Sequence, residues 1–255
     1  MNICGQWDNN RRKQLQKNVS NYRVNTTRKY GPREERKAAR LQISMGIEKH
    51  TGEKFLTLCE WSARRFDQTT VIVSDSLQRH NLMYLEDIGM EEAYNKARAI
   101  GDQWIEDNKK ALELLGNAGR ITRWDDWLVH PDFKRNLLEI HQKYRENRHF
   151  RRALNIRIYH MWAQKHESDP VTYPEERKQR YFEQSLNYLL EEAAIFPIMT
   201  EEYAIDVYAG TWFSKFFDAL KEDVSDRLRN IIDKSMCYEI DFVKRKSNAQ
   251  PYLVA

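Results

Sequence analysis

A single α/β domain built on a doubly wound parallel sheet is the fold class this sequence predicts, and three observations predict it. Residues 40–75 run strand, loop, helix, strand, a βαβ order that implies a right-handed crossover between parallel strands. The segment TTVIVSD (69–75) is β-branched and apolar with an acid at its end, the pattern of a strand buried on both faces. Strand-like and helical segments then alternate to the C-terminus, with no internal repeat and no low-complexity tract. A chain of 255 residues is long enough for one sizeable core.

The elements follow in order. Residues 1–36 show no sustained periodicity and predict a loosely held or partly helical arm; we take 1–37 as a basic N-terminal arm and 38–255 as the domain. RLQIS (40–44) is a short strand entering the loop MGIEKHTG. Residues 53–66 are helical, with Phe55, Leu58, Cys59 and Ser62 on one face. A long helix is predicted over 90–115, where Tyr94, Ala97, Gly101, Trp104, Ala111 and Leu115 keep helical spacing. GRITRW (119–124) reads as a strand. A basic helix is predicted over 131–166, with Phe133, Leu137, Tyr144 and Phe150 as buried positions, broken by Pro170 and Pro174. The next helix, 175–196, is predicted to stop before Pro197, because proline lacks an N–H and clashes with the preceding turn. AIDVY (204–208) is a further strand, TWFSKFFDALKEDV an amphipathic helix and MCYEIDFVKRK a terminal strand.

Composition excludes several classes. Hydrophobic residues make up 41% and charged residues 31%, which suits a folded chain with a heavily solvated surface. No apolar run approaches the roughly 18 residues needed to cross a bilayer. The N-terminal segment lacks an apolar leader, and Cys4, Cys59 and Cys237 are far apart, so a reducing cytoplasm is the expected setting. The seven histidines have no metal-ligand spacing and read as surface or core residues, so no metal is expected. No Walker lysine loop and no G-x-G-x-x-G occurs, and no cofactor is expected. The net charge is only +4, yet residues 1–40 hold eleven Lys/Arg against three acids, and 131–157 hold eight against three. Patches of this kind suit a polyanionic partner or are ordinary solvated faces.

Ser44, Asp75 and Tyr208 stand at or just past the ends of predicted parallel strands, where ligands gather in such sheets. Q-I-S-M-G around Ser44 resembles a hydrolase nucleophile turn, but Gln42 stands where glycine is wanted and no histidine follows a late strand. Tyr188 and Glu192, spaced i and i+4, project from one helix face with Tyr181, Ser185, Ala193 and Phe196. Glu192 is then either the polar edge of an amphipathic helix or a buried acid kept for an ammonium group.

Taken together, three blocks resemble the cyclodipeptide synthases. They are ISMGIEKHTGEKFLTLCEWSARRFDQTTVIVSDSLQRHN (43–81), LNYLLEEAAIF (186–196) and the strand end Val207-Tyr208-Ala209, with P-D-F (131–133) and the basic helix between them. The likeness covers roughly residues 38–245. It implies a Rossmann-like fold related to the catalytic domains of class I aminoacyl-tRNA synthetases, without their ATP motifs. Ile47 and Ala209 fit the family branch with a variable residue after the serine loop and Tyr-Pro at the later strand end, except that alanine replaces proline.

Carried onto this chain, the resemblance implies an aminoacyltransferase with Ser44 as nucleophile, Tyr188 and Glu192 holding an α-ammonium, and Tyr208 positioning the serine and serving proton transfer. Two aminoacyl-tRNAs would yield one diketopiperazine through aminoacyl- and dipeptidyl-enzyme esters on a monomer. The resemblance maps a first pocket to Arg40, Gln42, Ile72, Ser74, Trp124, Ile195 and Asp206, and a second to Arg157, Gln164 and the stretch near Trp212. Phe133 stands where a tyrosine is common in the family. The charged pocket positions predict either an acidic building block, glutamate, read by Arg157, or arginines (Arg157 and Arg40) that turn outward or pair with Asp206 and shape the pocket without touching substrate. Lys134, Arg135, Arg145, Arg148, Arg151 and Arg152 are the expected tRNA contacts. A catalytically dead tRNA-binding relative and a serine esterase are the alternatives.

Overall fold

In the computed structural model, residues 20–30, 38–165, 174–203, 205–210, 219–222 and 224–245 are described. Along the chain lie β1 (Tyr22–Tyr30), β2 (Ala38–Ile43), α1 (Gly52–Arg65), β3 (Gln68–Val73), α2 (Arg79–Leu85), α3 (Met90–Asp107) and α4 (Lys109–Glu113). Then come β4 (Gly119–Arg123), α5 (Trp124–Leu128), α6 (Phe133–Glu146), α7 (Arg148–Lys165), α8 (Glu175–Tyr203), β5 (Ile205–Tyr208), α9 (Asp226–Asp233) and β6 (Met236–Lys244). The six strands form one sheet in the order β1-β6-β5-β2-β3-β4. All pairs are parallel except β1 with β6. From β2 the chain winds outward through β3 and β4, then returns to β5 on the other side of β2. The winding direction therefore reverses between β2 and β5, the place where such sheets bind ligands beyond the carboxyl ends of their strands.

Strand alternation sorts the side chains into two cores. Ala39, Leu41, Ile43, Val71, Val73, Ile205 and Val207 face one side and pack on Phe55, Leu58 and Cys59 of α1. Ile72 faces the other, against Trp124, Tyr188, Leu189, Ile195 and Phe196. On that second side the register sets Arg40 beside Asp206 and Gln42 beside Ile72. A polar row thus crosses the face that carries α8. No helix among the described residues is long and apolar enough to cross a membrane.

Four expectations are corrected. Tyr22–Tyr30 is not a loose arm but an edge strand paired antiparallel with β6; residues 1–19 and 31–37 of the expected arm lie outside the described residues. The helix expected over 90–115 breaks at Asn108, whose side-chain amide donates to Trp104 O at 2.8 Å while its own carbonyl oxygen accepts from Gly52 N at 3.1 Å. The basic helix is two helices, because Asn147 leaves helical geometry (φ −93°, ψ 110°) and its side chain accepts from Phe150 N at 2.8 Å. Finally, α8 runs through Pro197 to Tyr203. Every residue from Ala193 to Thr200 is buried, and that burial outweighs the roughly 3 kcal/mol cost of an interior proline. The buried Asn136 amide donates to the Ala194 carbonyl at 3.0 Å beside this turn. The helix expected over 211–224 falls mostly outside the described residues, although Ala219, Leu220 and Val224 join the core.

Candidate active site

Ser44 follows β2 directly, and the next residues fold back on it. Gly46 takes φ +80°, a left-handed conformation suited to glycine, and the chain then makes a short 3-10 turn over Glu48–His50. That turn brings His50 under Ser44: the Ser44 backbone N–H donates to His50 Nδ1 at 2.9 Å. The His50 carbonyl accepts from Trp104 Nε1 at 2.9 Å, which ties the turn to α3. The imidazole meets the Tyr208 ring edge-to-face, with centroids 5.4 Å apart. Burial pushes the His50 pKa down to about 4, only partly opposed by the backbone of Ser44 and Ala209, so the ring is neutral at physiological pH.

Tyr208 ends β5, next to β2, and lies close enough to the Ser44 side chain for the serine to pull its pKa down, against the larger effect of burial. Gly210 leaves room for that ring, since a Cβ there would fall 2.8 Å from Tyr208 Cε1. Burial raises the pKa of both Tyr208 and Tyr188, and the Glu192 carboxylate adds to both rises. Both phenols therefore keep their protons near neutral pH.

Tyr188 and Glu192 sit one turn apart on α8, over the polar row of the sheet. Gln42 Nε2 donates to Glu192 Oε1 at 3.0 Å, and Gln78 Nε2 lies 3.5 Å from the Tyr188 hydroxyl. Glu192 keeps some exposed surface as a residue, but its carboxylate is enclosed. Burial lifts its pKa to about 7, against the opposing pulls of Gln42 and Arg157, with Asp206 adding to the rise. Arg157 on α7 acts electrostatically on Glu192, Tyr208, Tyr188 and Tyr181 together, so its guanidinium faces the same space. The structure thus brings together Ser44, Tyr188, Glu192, Tyr208, Gln42 and Arg157.

Other expected pocket residues are placed differently. Arg40 is fully buried and pairs with Asp206 at 3.3 Å; it also reaches Thr200 Oγ1 at 3.3 Å and stacks over Phe196. This pairing is the alternative in which Arg40 and Asp206 shape the pocket through each other. A guanidinium with no exposed surface needs a carboxylate beside it, and the β2–β5 register supplies one. Ile72, Ser74, Trp124 and Ile195 have no exposed surface either, and Ile72 and Trp124 pack in one core with Ile195 of α8. Phe133 is partly buried against the same core. Gln164 lies on α7, but its side chain, like the stretch near Trp212, is outside the described residues.

Asp75, at the end of β3, is buried between Arg98 and Arg123, and Gly101 lets that cluster close, since a Cβ there would meet Asp75 Oδ2 at 2.6 Å. It anchors the sheet to α3. The neighbouring acid Glu191 is likewise engaged, by Arg79, by His80 at 3.4 Å and by Trp124 Nε1 at 2.7 Å. Among the basic positions Lys134, Arg135, Arg145, Arg148 and Arg152 are exposed. Arg135 pairs with Asp132. Arg151 differs from the expectation: it turns back to donate to the carbonyls of Tyr144 (3.3 Å) and Arg145 (2.7 Å), capping the end of α6.

Sequence reasoning treated His50 as an ordinary surface or core histidine. It is a core residue, but one that touches both Ser44 and Tyr208. The available signal was its place six residues after Ser44 in a loop bracketed by Gly46 and Gly52, which allows a tight return. Gln78 was missed because it enters from the 3-10 turn after β3. Among the described residues no group of three or more His, Cys, Asp or Glu side chains is arranged to hold a metal ion.

A family model described as Cyclodipeptide synthase matches residues 22–203. No curated protein matches this chain. Among solved structures it is similar to a cyclodipeptide synthase from Fluoribacter dumoffii, at 25% identity and TM-score 0.74, over 88% of this chain and 99% of that one. It is also similar to the cyclodipeptide synthase from Candidatus Glomeribacter gigasporarum bound to Phe-tRNAPhe, at 20% identity and TM-score 0.63, over 85% and 91%. A third likeness is to a Mycobacterium tuberculosis protein described as demonstrating that cyclodipeptide synthetases are related to type I tRNA-synthetases. That match has 12% identity and TM-score 0.58, over 81% and 85%. The last two likenesses show the shared Rossmann-like fold.

Proposed function

This chain belongs to the cyclodipeptide synthase family, and from that premise we propose that it joins two aminoacyl groups, each delivered by a tRNA, through a covalent ester on Ser44. The observation that carries the reading is the convergence of Ser44, Tyr208, Tyr188 and Glu192 at the point where the sheet reverses its winding.

The first aminoacyl-tRNA binds with its α-ammonium against Glu192 and Tyr188. An arriving cation favours the ionised carboxylate, so Glu192 gives up its proton on binding and the cost of its burial is offset. Ser44 Oγ attacks the aminoacyl carbonyl, the ester bond to the tRNA ribose breaks, and the serine proton passes to the leaving ribose oxygen. Tyr208, which keeps its own proton, relays this transfer by accepting from Ser44 while donating onward. The α-ammonium of the aminoacyl-Ser44 ester gives one proton to the Glu192 carboxylate, and the resulting amine attacks the second aminoacyl ester; a peptide bond forms, the ester bond to the second tRNA breaks, and the other nitrogen proton passes to the leaving ribose oxygen. In the last step the free amine of the dipeptide attacks the Ser44 ester, closing the diketopiperazine ring and returning the proton to Ser44. Aminoacyl esters are already activated, so the site needs orientation and proton relay rather than ATP.

Arg157 supports glutamate as one building block. Its guanidinium is desolvated, which lowers its pKa, and it faces Glu192 and three tyrosines. A side-chain carboxylate would give it a bidentate partner, a recognition that an apolar side chain cannot supply. The tRNA backbone lies against Lys134, Arg145, Arg148 and Arg152. A serine esterase is disfavoured by His50, whose Nδ1 takes the Ser44 backbone N–H rather than a carboxylate partner.

The test is incubation with charged tRNA, mass spectrometry of the released products and trapping of label on the protein. Cyclic dipeptide together with label on Ser44, both lost in Ser44→Ala, is the expected result. Normal product formation by Ser44→Ala would overturn the covalent mechanism.

A further inference from the structure

We propose that His50 is the positioning residue of this active site: a neutral imidazole that fixes Ser44 and Tyr208 relative to each other by accepting the Ser44 backbone N–H and bracing the Tyr208 ring. The proposal rests on Ser44 being the reacting serine.

The geometry is a closed triangle. Its first side is the 2.9 Å hydrogen bond from Ser44 N to His50 Nδ1. The second is the edge-to-face contact of the imidazole with Tyr208, at 5.4 Å and an interplanar angle of 81°. The third is the pairing of β2 with β5, which sets Ser44 and Tyr208 at neighbouring strand ends. His50 therefore contacts both partners and links them. The triangle is itself anchored from outside, because Trp104 donates to the His50 carbonyl and packs edge-to-face on Phe55 of α1 at 4.9 Å.

The tautomer follows from the donor. A backbone N–H can only donate, so Nδ1 must present its lone pair and the ring proton must sit on Nε2. Nδ1 also lies 3.4 Å from the Ser44 carbonyl, but that longer contact would need the opposite tautomer. His50 is 1% exposed, and the nearest charged side chain acting on it, Lys49, opposes protonation. The ring is thus kept in the one form that can accept. Its role is distinct from that of a catalytic base, since the nitrogen facing Ser44 is occupied by the backbone and not by Oγ.

Three substitutions separate the acceptor from the ring. His50→Asn places an amide oxygen where Nδ1 lies; His50→Gln sets its amide further out, near the Nε2 position; His50→Phe keeps a ring with no acceptor. Single-turnover transfer of a labelled aminoacyl group from tRNA to Ser44 should fall about 100-fold in His50→Phe and His50→Gln, the scale expected for misplacing a reacting group by about 1 Å. His50→Asn should stay within about tenfold of wild type, and tRNA affinity should be unchanged in all three. Thermal melts of each variant show which are folded; if His50→Phe is not, the comparison of His50→Asn with His50→Gln decides. Transfer by His50→Gln at the wild-type rate, or equal loss in His50→Asn and His50→Gln, overturns the proposal. An independent arm uses wild-type protein with ¹⁵N-labelled histidine: an unprotonated Nδ1 and a protonated Nε2 at neutral pH are expected, and the Nδ1–H tautomer overturns it. Should wild type itself leave no label on Ser44, the covalent mechanism fails, while the tautomer still reports on the His50 contact.

Discussion

Replacing Glu192 by glutamine should disable the enzyme and make it more stable above neutral pH, and the structure sets the size of the second effect. Burial lifts the Glu192 pKa from 4.5 to about 7. Between those values the folded protein keeps a proton that the unfolded chain has released, so stability falls as pH rises through the window. The full rise corresponds to about 3 kcal/mol lost by pH 8. Glutamine is nearly the same size and still accepts the Gln42 amide, but it carries no charge and escapes that loss. Urea unfolding of both proteins at pH 5 and pH 8 isolates the effect, because other titrating groups are common to the two. The advantage of Glu192→Gln should grow by up to about 3 kcal/mol between the two pH values, or about 6–12 °C in Tm for a domain of this size. An advantage that does not change with pH would refute the reasoning. Glu192 would then be ionised without cost, held by Arg157 before any substrate arrives.

The other expectations follow from the same geometry. Wild-type stability should also fall toward acid as His50, held at about 4 in the fold against 6.5 unfolded, is protonated in the unfolded chain first; unfolding monitored from pH 7 down to 4 checks this limb. Charge reversal at Arg148 and Arg152 should weaken tRNA binding and flatten its salt dependence, by about 0.9 in log–log slope for each duplex phosphate no longer neutralised. Single-turnover chemistry at saturating tRNA should be preserved, and a salt-independent wild-type affinity would count against this surface. Arg157→Leu should shift the secreted diketopiperazines from acidic to apolar side chains, read by mass spectrometry of the culture medium. Asp206→Asn should destabilise the fold by about 3–5 kcal/mol, the cost of leaving a buried partner charge uncompensated, as measured by urea unfolding.

The parts of the fold that were legible in the sequence are those whose signal is local. β2 to β5 were visible as apolar or β-branched runs, and the ends of β2 and β5 placed Ser44 and Tyr208 at the ligand-binding edge of the sheet. The i, i+4 spacing put Tyr188 and Glu192 on one face of α8, and the structure keeps them there. What escaped depends on partners far away in the chain. YRVNTTRKY (22–30) has weak strand character alone and becomes a strand because β6 lies beside it, Tyr22 pairing with Lys244. Pro197 reads as a helix stop until the burial around it is known. For Arg40 the sequence offered both a pocket wall and a pair with Asp206, and the pairing of β2 with β5 brings the two together across 166 residues.

That pairing also explains how a polar site can sit on a packed sheet. Along the face carrying α8, β2 presents Arg40, then Gln42, then Ser44 beyond its end, while β5 presents Asp206 and then Tyr208. The deepest pair, Arg40 with Asp206, is charge-balanced and fully enclosed. One step nearer the edge, the neutral amide of Gln42 supports the Glu192 carboxylate. At the edge itself stand the neutral hydroxyls of Ser44 and Tyr208. Fixed charge is therefore cancelled at depth, and nearer the edge Glu192 and Arg157 act on each other. With Glu192 ionised, those two sum to zero, and an aminoacyl ammonium adds one positive charge to an enclosed space. A substrate side chain bearing a carboxylate restores neutrality, whereas an apolar one leaves the excess in place. On the proposed mechanism, the same balance that lets Glu192 hold an ammonium favours the proposed acidic building block beside Arg157.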